Sequence, residues 1–229
     1  AIVSLGMPIG TLNEGSLHRA LKATYAANGG AEEVPINGFV ADAVREGVVY
    51  EVQTGSFSGL ARKMRSLADE LPVVLIHPIA ANTTIIKQPT EGDKASKRLS
   101  PKHGRPVHIV SELIYIPTLL NHPNFSVEVV LIEEQEVREF DPKKRRGRGG
   151  WRVRERTLLN IVEGVRLREM SDLFEFLKTE LAEPFTTQTL AEALGEPRAI
   201  AQKMAYCLKH AGITEVCGKI GNALQYRSC

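Results

Sequence analysis

Cysteine and aromatic residues are scarce in this chain: 229 residues hold three cysteines, one tryptophan and 6% aromatics. Cys207, Cys217 and Cys229 are odd in number and scattered, with no CxxC or Cys/His metal spacing. That argues against a disulfide framework or a structural zinc site and leads us to expect a reducing, cytoplasmic setting. No apolar run approaches the roughly 18 residues that a membrane helix needs, so no membrane role is expected. The opening Ala1-Ile2-Val3-Ser4 lacks the basic and long apolar regions of a signal peptide. Glycine-rich phosphate loops, HExxH and Ser or Cys nucleophile signatures are missing as well.

What is present is an ordinary globular composition, 43% hydrophobic and 24% charged, with enough apolar residues for a real core. The net charge of +2 conceals an uneven distribution. Between Lys143 and Arg156 stand eight basic residues (Lys143, Lys144, Arg145, Arg146, Arg148, Arg152, Arg154, Arg156) against one acid, Glu155. The segment carries +7 and the remainder of the chain therefore about −5. A basic block beside the only tryptophan, Trp151, on a mildly acidic body points to a polyanion partner.

Apolar spacing predicts a helix over 14–27, capped by Asn13 and stopped at Asn28-Gly29-Gly30. Two strands, Ile36–Val44 and Val48–Thr54, follow around the turn Arg45-Glu46-Gly47. A helix starts at Ser56-Phe57-Ser58 and ends before Pro72, and Val73–Ile76 reads as a buried strand. Ile85-Ile86 suggests another strand, 89–106 a loop, Val110–Leu120 an interrupted helix, and Phe125–Ile132 a strand. Helical patterning resumes by Leu158. From about residue 170 the pattern gives a helix from Ser171 through Leu181, a second at Leu190–Leu194 capped by Thr187, a third opened by Pro197, and a hairpin over Thr214–Tyr226. Three helices and a hairpin have the order of a winged helix-turn-helix. Its third helix would offer Arg198, Gln202, Lys203, Tyr206 and Lys209 to a DNA groove.

The chemistry centres on Asp42 and Glu51, which the predicted hairpin places on neighbouring strands among Val40, Ala41, Val49 and Val52. An unpaired carboxylate in such surroundings costs on the order of several kcal/mol. A hard divalent cation between the two, Mg²⁺ or Mn²⁺, removes that cost. Glu51 and Gln53 share a side of the sheet. His18, four residues after Glu14, reads as a packing or capping histidine.

These residues resemble the PD-(D/E)xK, or restriction-endonuclease-like, nuclease superfamily. Asp42 matches the family's Asp, Glu51-x-Gln53 its (D/E)-x-K with glutamine in place of lysine, and Glu14 the additional acid on the first helix. Lys63 is the candidate for a lysine moved to the following helix. No proline precedes Asp42. The resemblance covers roughly residues 12–80, with 107–132 completing the sheet. It implies an α/β (α+β) fold, with a mixed-sheet nuclease-like domain over 1–168 and a winged-helix domain over 169–229. It further implies metal-dependent hydrolysis of DNA, with Asp42, Glu51, Gln53 and Lys63 as catalytic residues and Asp42, Glu51 and Glu14 as metal ligands. DNA contacts would come from Lys143, Lys144, Arg145, Arg146, Arg148, Trp151, Arg152, Arg198, Gln202 and Lys203. The alternative is a non-catalytic DNA-binding or adaptor protein on a degenerate nuclease fold. A nuclease subunit of a larger DNA-processing or defence complex, with a protein partner or as a homodimer, is a further reading.

Overall fold

A computed structural model describes residues 15–88, 94–141 and 150–229. The fold is mixed α+β, a seven-stranded mixed sheet with helices on both faces, followed by a small helical tail and hairpin. The meander β1 (Ala31–Ile36), β2 (Phe39–Arg45) and β3 (Val48–Val52) leads through helix α2 (Ala61–Ala68) into β4 (Val73–Gln88). β3 and β4 are parallel, with Glu51 beside Leu75 and Val52 beside Ile76. β5 (Ser96–Leu99) pairs with the far half of β4, and β6 (Phe125–Phe140) lies parallel to β4 along its whole length. β7 (Trp151–Leu167) closes the sheet antiparallel to β6.

Two apolar layers hold these strands. Helix α1 (Ser16–Ala26) turns Leu17 and Leu21, one helical turn apart, onto Tyr50, Val52, Val74, Ile76, Val130 and Ile132. The opposite face buries Val49, Val73, Leu75, Val127 and Val129 under Met64 and Leu67 of α2 and under α3 (Val110–Leu113). The period-two alternation of each strand supplies both layers, so a strand run that looks uniformly apolar is sandwiched on both sides. The tail joins this second layer. Helices α4 (Thr187–Leu194) and α5 (Arg198–His210) pack Leu190, Leu194, Ala201, Met204 and Leu208 into the same cluster, with the hairpin β8 (Thr214–Ile220) and β9 (Ala223–Ser228) behind them.

Several elements depart from the sequence expectations. The run Ile36–Val44 is not one strand: Asn37 and Gly38 sit at φ 49° and 75° and turn β1 into β2. Asn-Gly is the strongest two-residue hairpin signal, and both residues tolerate the left-handed region. Ile85-Ile86 belongs to β4 rather than to a separate strand, and the expected loop over 89–106 contains β5. The helix expected from Leu158 is the second half of β7, which runs antiparallel to β6 along its length with three bulges. Val110–Leu120 forms one α turn, preceded by a 3-10 turn, and Ser171–Leu181 only the 3-10 turn Met170–Phe176. α2 begins at Ala61, not at Ser56, and α4 is capped by Thr186, whose hydroxyl accepts from Thr189 N. Asn13 lies outside the described residues, and α1 starts after Gly15.

Gly104 ties the chain back to β4 by donating to Ala80 O at 2.8 Å. A Cβ there would stand 2.5 Å from that same oxygen, and backbone cannot swing aside as a side chain can. Gly104→Ala should therefore lower unfolding stability by about 1–3 kcal/mol, read from the urea midpoint. An unchanged midpoint would mean that the 100–105 segment does not hold this position in solution.

Candidate functional site

The site forms where the hairpin ladder stops. β2 and β3 are paired at Arg45/Val48, Val44/Val49 and Ala43/Tyr50, and the next opposed pair would be Asp42 and Glu51. There the side chains replace the main-chain ladder. Val52 N donates to Asp42 Oδ2 at 2.8 Å, and Asp42 N donates to Glu51 Oε1 at 3.1 Å. The β1–β2 ladder skips the same level, pairing Glu32 with Ala43 and Val34 with Ala41 around Glu33, which has φ 55°. A non-glycine residue in that region is strained, and such strain gathers at functional sites. Three acids, Glu33, Asp42 and Glu51, thus occupy one level across three strands, close to the carboxyl end of β3.

Each acid meets a basic side chain from a neighbouring helix. Lys22 of α1 reaches Glu33 at 3.2 Å and Glu32 at 3.8 Å. His18, one turn earlier, places Nε2 3.3 Å from Asp42 Oδ2. From the other face, Lys63 Nζ donates to Glu51 Oε2 at 2.7 Å. Glu51 is buried, whereas the side chains of His18, Asp42 and Lys63 keep 22%, 21% and 25% of their surface, so the centre opens to solvent on one side.

These surroundings split the two carboxylates. Burial alone would raise Asp42, but hydrogen bonds from His18 and Val52 N, with the charges of His18 and Lys63, hold it below the usual carboxylate range. Glu51 goes the other way. Burial first, then the neighbouring Asp42 charge, push it up to about 7 against the pull of Lys63. Two adjoining carboxylates with separated proton affinities are what acid–base or cation chemistry requires. As hard oxygen donors they suit Mg²⁺ or Mn²⁺, and a cation would relieve the repulsion that raises Glu51. Among the described residues no group of three or more His, Cys, Asp or Glu side chains converges as a metal cluster. The expected third ligand, Glu14, lies outside the described residues.

Of the four residues expected to be catalytic, the structure brings Asp42, Glu51 and Lys63 together and turns the amide of Gln53 away. Gln53 N continues the ladder to Ile76 O, but its amide donates to Ser56 O at 2.7 Å and braces the turn into α2. Gln53 O accepts from His77 Nδ1 at 2.7 Å, which places the imidazole proton on that nitrogen. Burial lowers His77, and its ring packs edge-to-face with Phe57 at 5.0 Å between ring centres. Gln53 therefore positions the segment that carries Lys63. On sequence His18 reads only as a packing or capping histidine on the Glu14 face; the structure places it beside Asp42, 24 positions away, a partner no local spacing reveals.

The basic block divides in two. Lys143, Lys144, Arg145, Arg146 and Arg148 lie outside the described residues. The remaining cations stand on β7 opposite acids of β6: Arg152 pairs with Glu139, Arg154 approaches Glu139 at 3.8 Å, and Arg156 approaches Glu136 at 3.4 Å. Arg152 is therefore a cross-strand partner rather than an uncompensated cation. Trp151 is also engaged, with Phe140 edge-on at 5.7 Å and Lys87 Nζ 4.7 Å from its ring centre. In the tail, Lys203 does not face outward: its Nζ donates to Ser111 Oγ at 3.0 Å, because α5 packs on α3. Arg198, held to Thr187 at 3.2 Å, and Gln202 remain exposed.

A model of the domain family of unknown function DUF8091 matches residues 15–168, which takes in the whole sheet with α1 and α2 and ends before the tail. An uncharacterized protein of Treponema pallidum (strain Nichols) is 30% identical over 187 residues, 81% of this chain and 74% of that protein. No solved structure matches.

The raised Glu51 fixes the sign of a pH effect. Its folded value, about 7, exceeds the 4.5 of the free side chain, so the folded chain holds this proton more tightly than the unfolded one. The associated stability is complete below about 4.5 and is lost as pH rises through about 7. Asp42, shifted downward, titrates below this window. Thermal melts in EDTA should show wild type losing on the order of 1–3 kcal/mol relative to Glu51→Gln between about pH 5 and 8. Parallel curves for the two proteins would contradict the assignment.

Proposed function

The chain belongs to the DUF8091 family, and we propose that the centre at Asp42 and Glu51 makes it a metal-dependent nuclease that hydrolyses DNA phosphodiester bonds. The observation that carries this reading is the opened hairpin. Two carboxylates replace main-chain pairing at one level, and Lys63 reaches Glu51 from the next helix at 2.7 Å. The restriction-endonuclease-like resemblance asks for the same trio on the same element order, strand, strand, helix, parallel strand.

Asp42 and Glu51 would hold Mg²⁺ or Mn²⁺, which when bound acidifies a water and offsets phosphate charge. Val52 N and His18 fix the Asp42 carboxylate in place. Lys63 sets an ammonium beside Glu51, where it can stabilise charge growing on a phosphoryl oxygen. Gln53 and His77 hold the turn that aims α2, so their effect on the reaction passes through Lys63. The segment over 143–148 would add backbone contacts. The tail, a helix-turn-helix with a hairpin, is read as a winged-helix module in which Arg198 and Gln202 face the partner.

A second reading, a DNA-binding or adaptor protein without catalysis, is favoured by one observation: the amide that stands in the motif's lysine position turns to Ser56. Cleavage of supercoiled plasmid and single-stranded circles with Mg²⁺, Mn²⁺ or EDTA separates the two. The nuclease reading expects metal-dependent cleavage that falls at least 100-fold in Asp42→Asn and in Glu51→Gln. Lys63→Ala should lower kcat more than DNA affinity, since its contact strengthens only as charge develops. Full cleavage by either carboxylate variant, or none by wild type with either metal, would overturn it.

A further inference from the structure

Away from the carboxylate centre, a cavity of about 650 Å³ lies between the outer part of the sheet and the segment that follows β5. That volume falls within the roughly 300–1,000 Å³ of small-molecule sites and is too small for a duplex. The sheet presents Arg98 from β5, Arg138 from β6 and Arg156 from β7, with Arg98, Ile85, Glu136 and Arg156 in one cross-strand row, and the segment after β5 adds Lys102. Glu136, itself buried, pairs with both Arg138 and Arg156 and so fixes two guanidiniums side by side at the cavity wall. Each is held through its Nε, so the bond to Glu136 does not use the Nη edges. Glu134, also buried, accepts from Thr83 Oγ1 at 3.1 Å and is raised above the usual carboxylate range by its burial.

Arginines prearranged by a buried acid are suited to phosphate, because the planar fork offers two parallel donors and stays charged. Four cations around one cavity fit several phosphate charges rather than one. Between them Ala80, Ile85 and Pro101 supply an apolar surface for a flat ring. We propose that this cavity binds a nucleoside di- or triphosphate, its phosphates among Arg98, Lys102, Arg138 and Arg156. This does not depend on the nuclease reading, since none of these side chains belongs to the Asp42–Glu51 centre.

Titration calorimetry on the full chain in EDTA keeps divalent cations from contributing. The probes are ATP, pyrophosphate, inorganic phosphate and a single-stranded 12-nucleotide DNA. ATP should bind at one site at least tenfold more tightly than inorganic phosphate, with pyrophosphate between them. Arg98 and Lys102 are exposed, so Arg98→Ser with Lys102→Ser should leave the circular dichroism spectrum and melting temperature unchanged while weakening ATP at least tenfold. Arg138→Ser should weaken it further. The proposal is overturned if ATP gives no binding at millimolar concentration or if the double variant binds it as wild type does. Binding of the 12-nucleotide DNA without ATP would overturn it too, because the cavity would then serve a nucleic-acid backbone.

Discussion

The juxtaposition of Asp42 and Glu51 governs this molecule. Two carboxylates at one level of a hairpin repel each other, and the fold does not separate them. It opens the ladder and gives each acid a main-chain donor from the opposite strand, at 2.8 Å for Asp42 and 3.1 Å for Glu51. It then assigns each a base from a different face of the sheet: His18 from α1 and Lys63 from α2. The remaining imbalance falls on Glu51, the more buried of the two, whose proton is held up to about 7. An apolar pair at this level would be simpler to fold. The arrangement makes sense if ionised oxygens at this spot are used.

The rest of the architecture supports that level. The parallel pairing of β3 with β4 fixes where β3 ends, and the β3–α2 turn, braced by Gln53, His77 and Phe57, fixes where Lys63 arrives. β4, β6 and β7 each run 16 or 17 residues, roughly 50 Å at strand rise, although β3 pairs with only the first part of β4. Their outer part carries alternating acids and arginines that pair across β6 and β7, together with the cationic cavity. The three arginines that the basic segment contributes to β7, Arg152, Arg154 and Arg156, are thus matched by Glu139 and Glu136 of β6.

Legibility from sequence followed the range of the interaction. Asp42, Glu51 and Lys63 lie within 22 positions, on elements whose order a hairpin turn, a proline and an apolar run announce, and they meet in the structure. The Asn37-Gly38 turn was equally local, yet it was absorbed into one strand because Ile36 and Phe39 continue the apolar pattern. β7 was misread for another reason. Leu158, Leu159, Ile161 and Val162 are spaced as on a helix face, but Leu158 and Ile161 pair with Glu134 and Ile132, more than 20 positions back, and pairing overrides so weak a local preference. The charges of Arg152, Arg154 and Arg156 were counted correctly and interpreted as free, since nothing local shows that Glu136 and Glu139 stand opposite. His18 beside Asp42 and Lys203 against Ser111 are tertiary contacts of the same kind.

The measurement closest to the central claim is the titration of the Glu51 carboxyl, followed by carbon NMR on selectively labelled, metal-free protein. The account predicts that Glu51 titrates near 7 in wild type and moves down toward 4.5 in Asp42→Asn, because the neighbouring charge is gone while burial remains. A Glu51 that titrates near 4.5 in wild type, or that does not respond to Asp42→Asn, would show that the two carboxylates do not share one site.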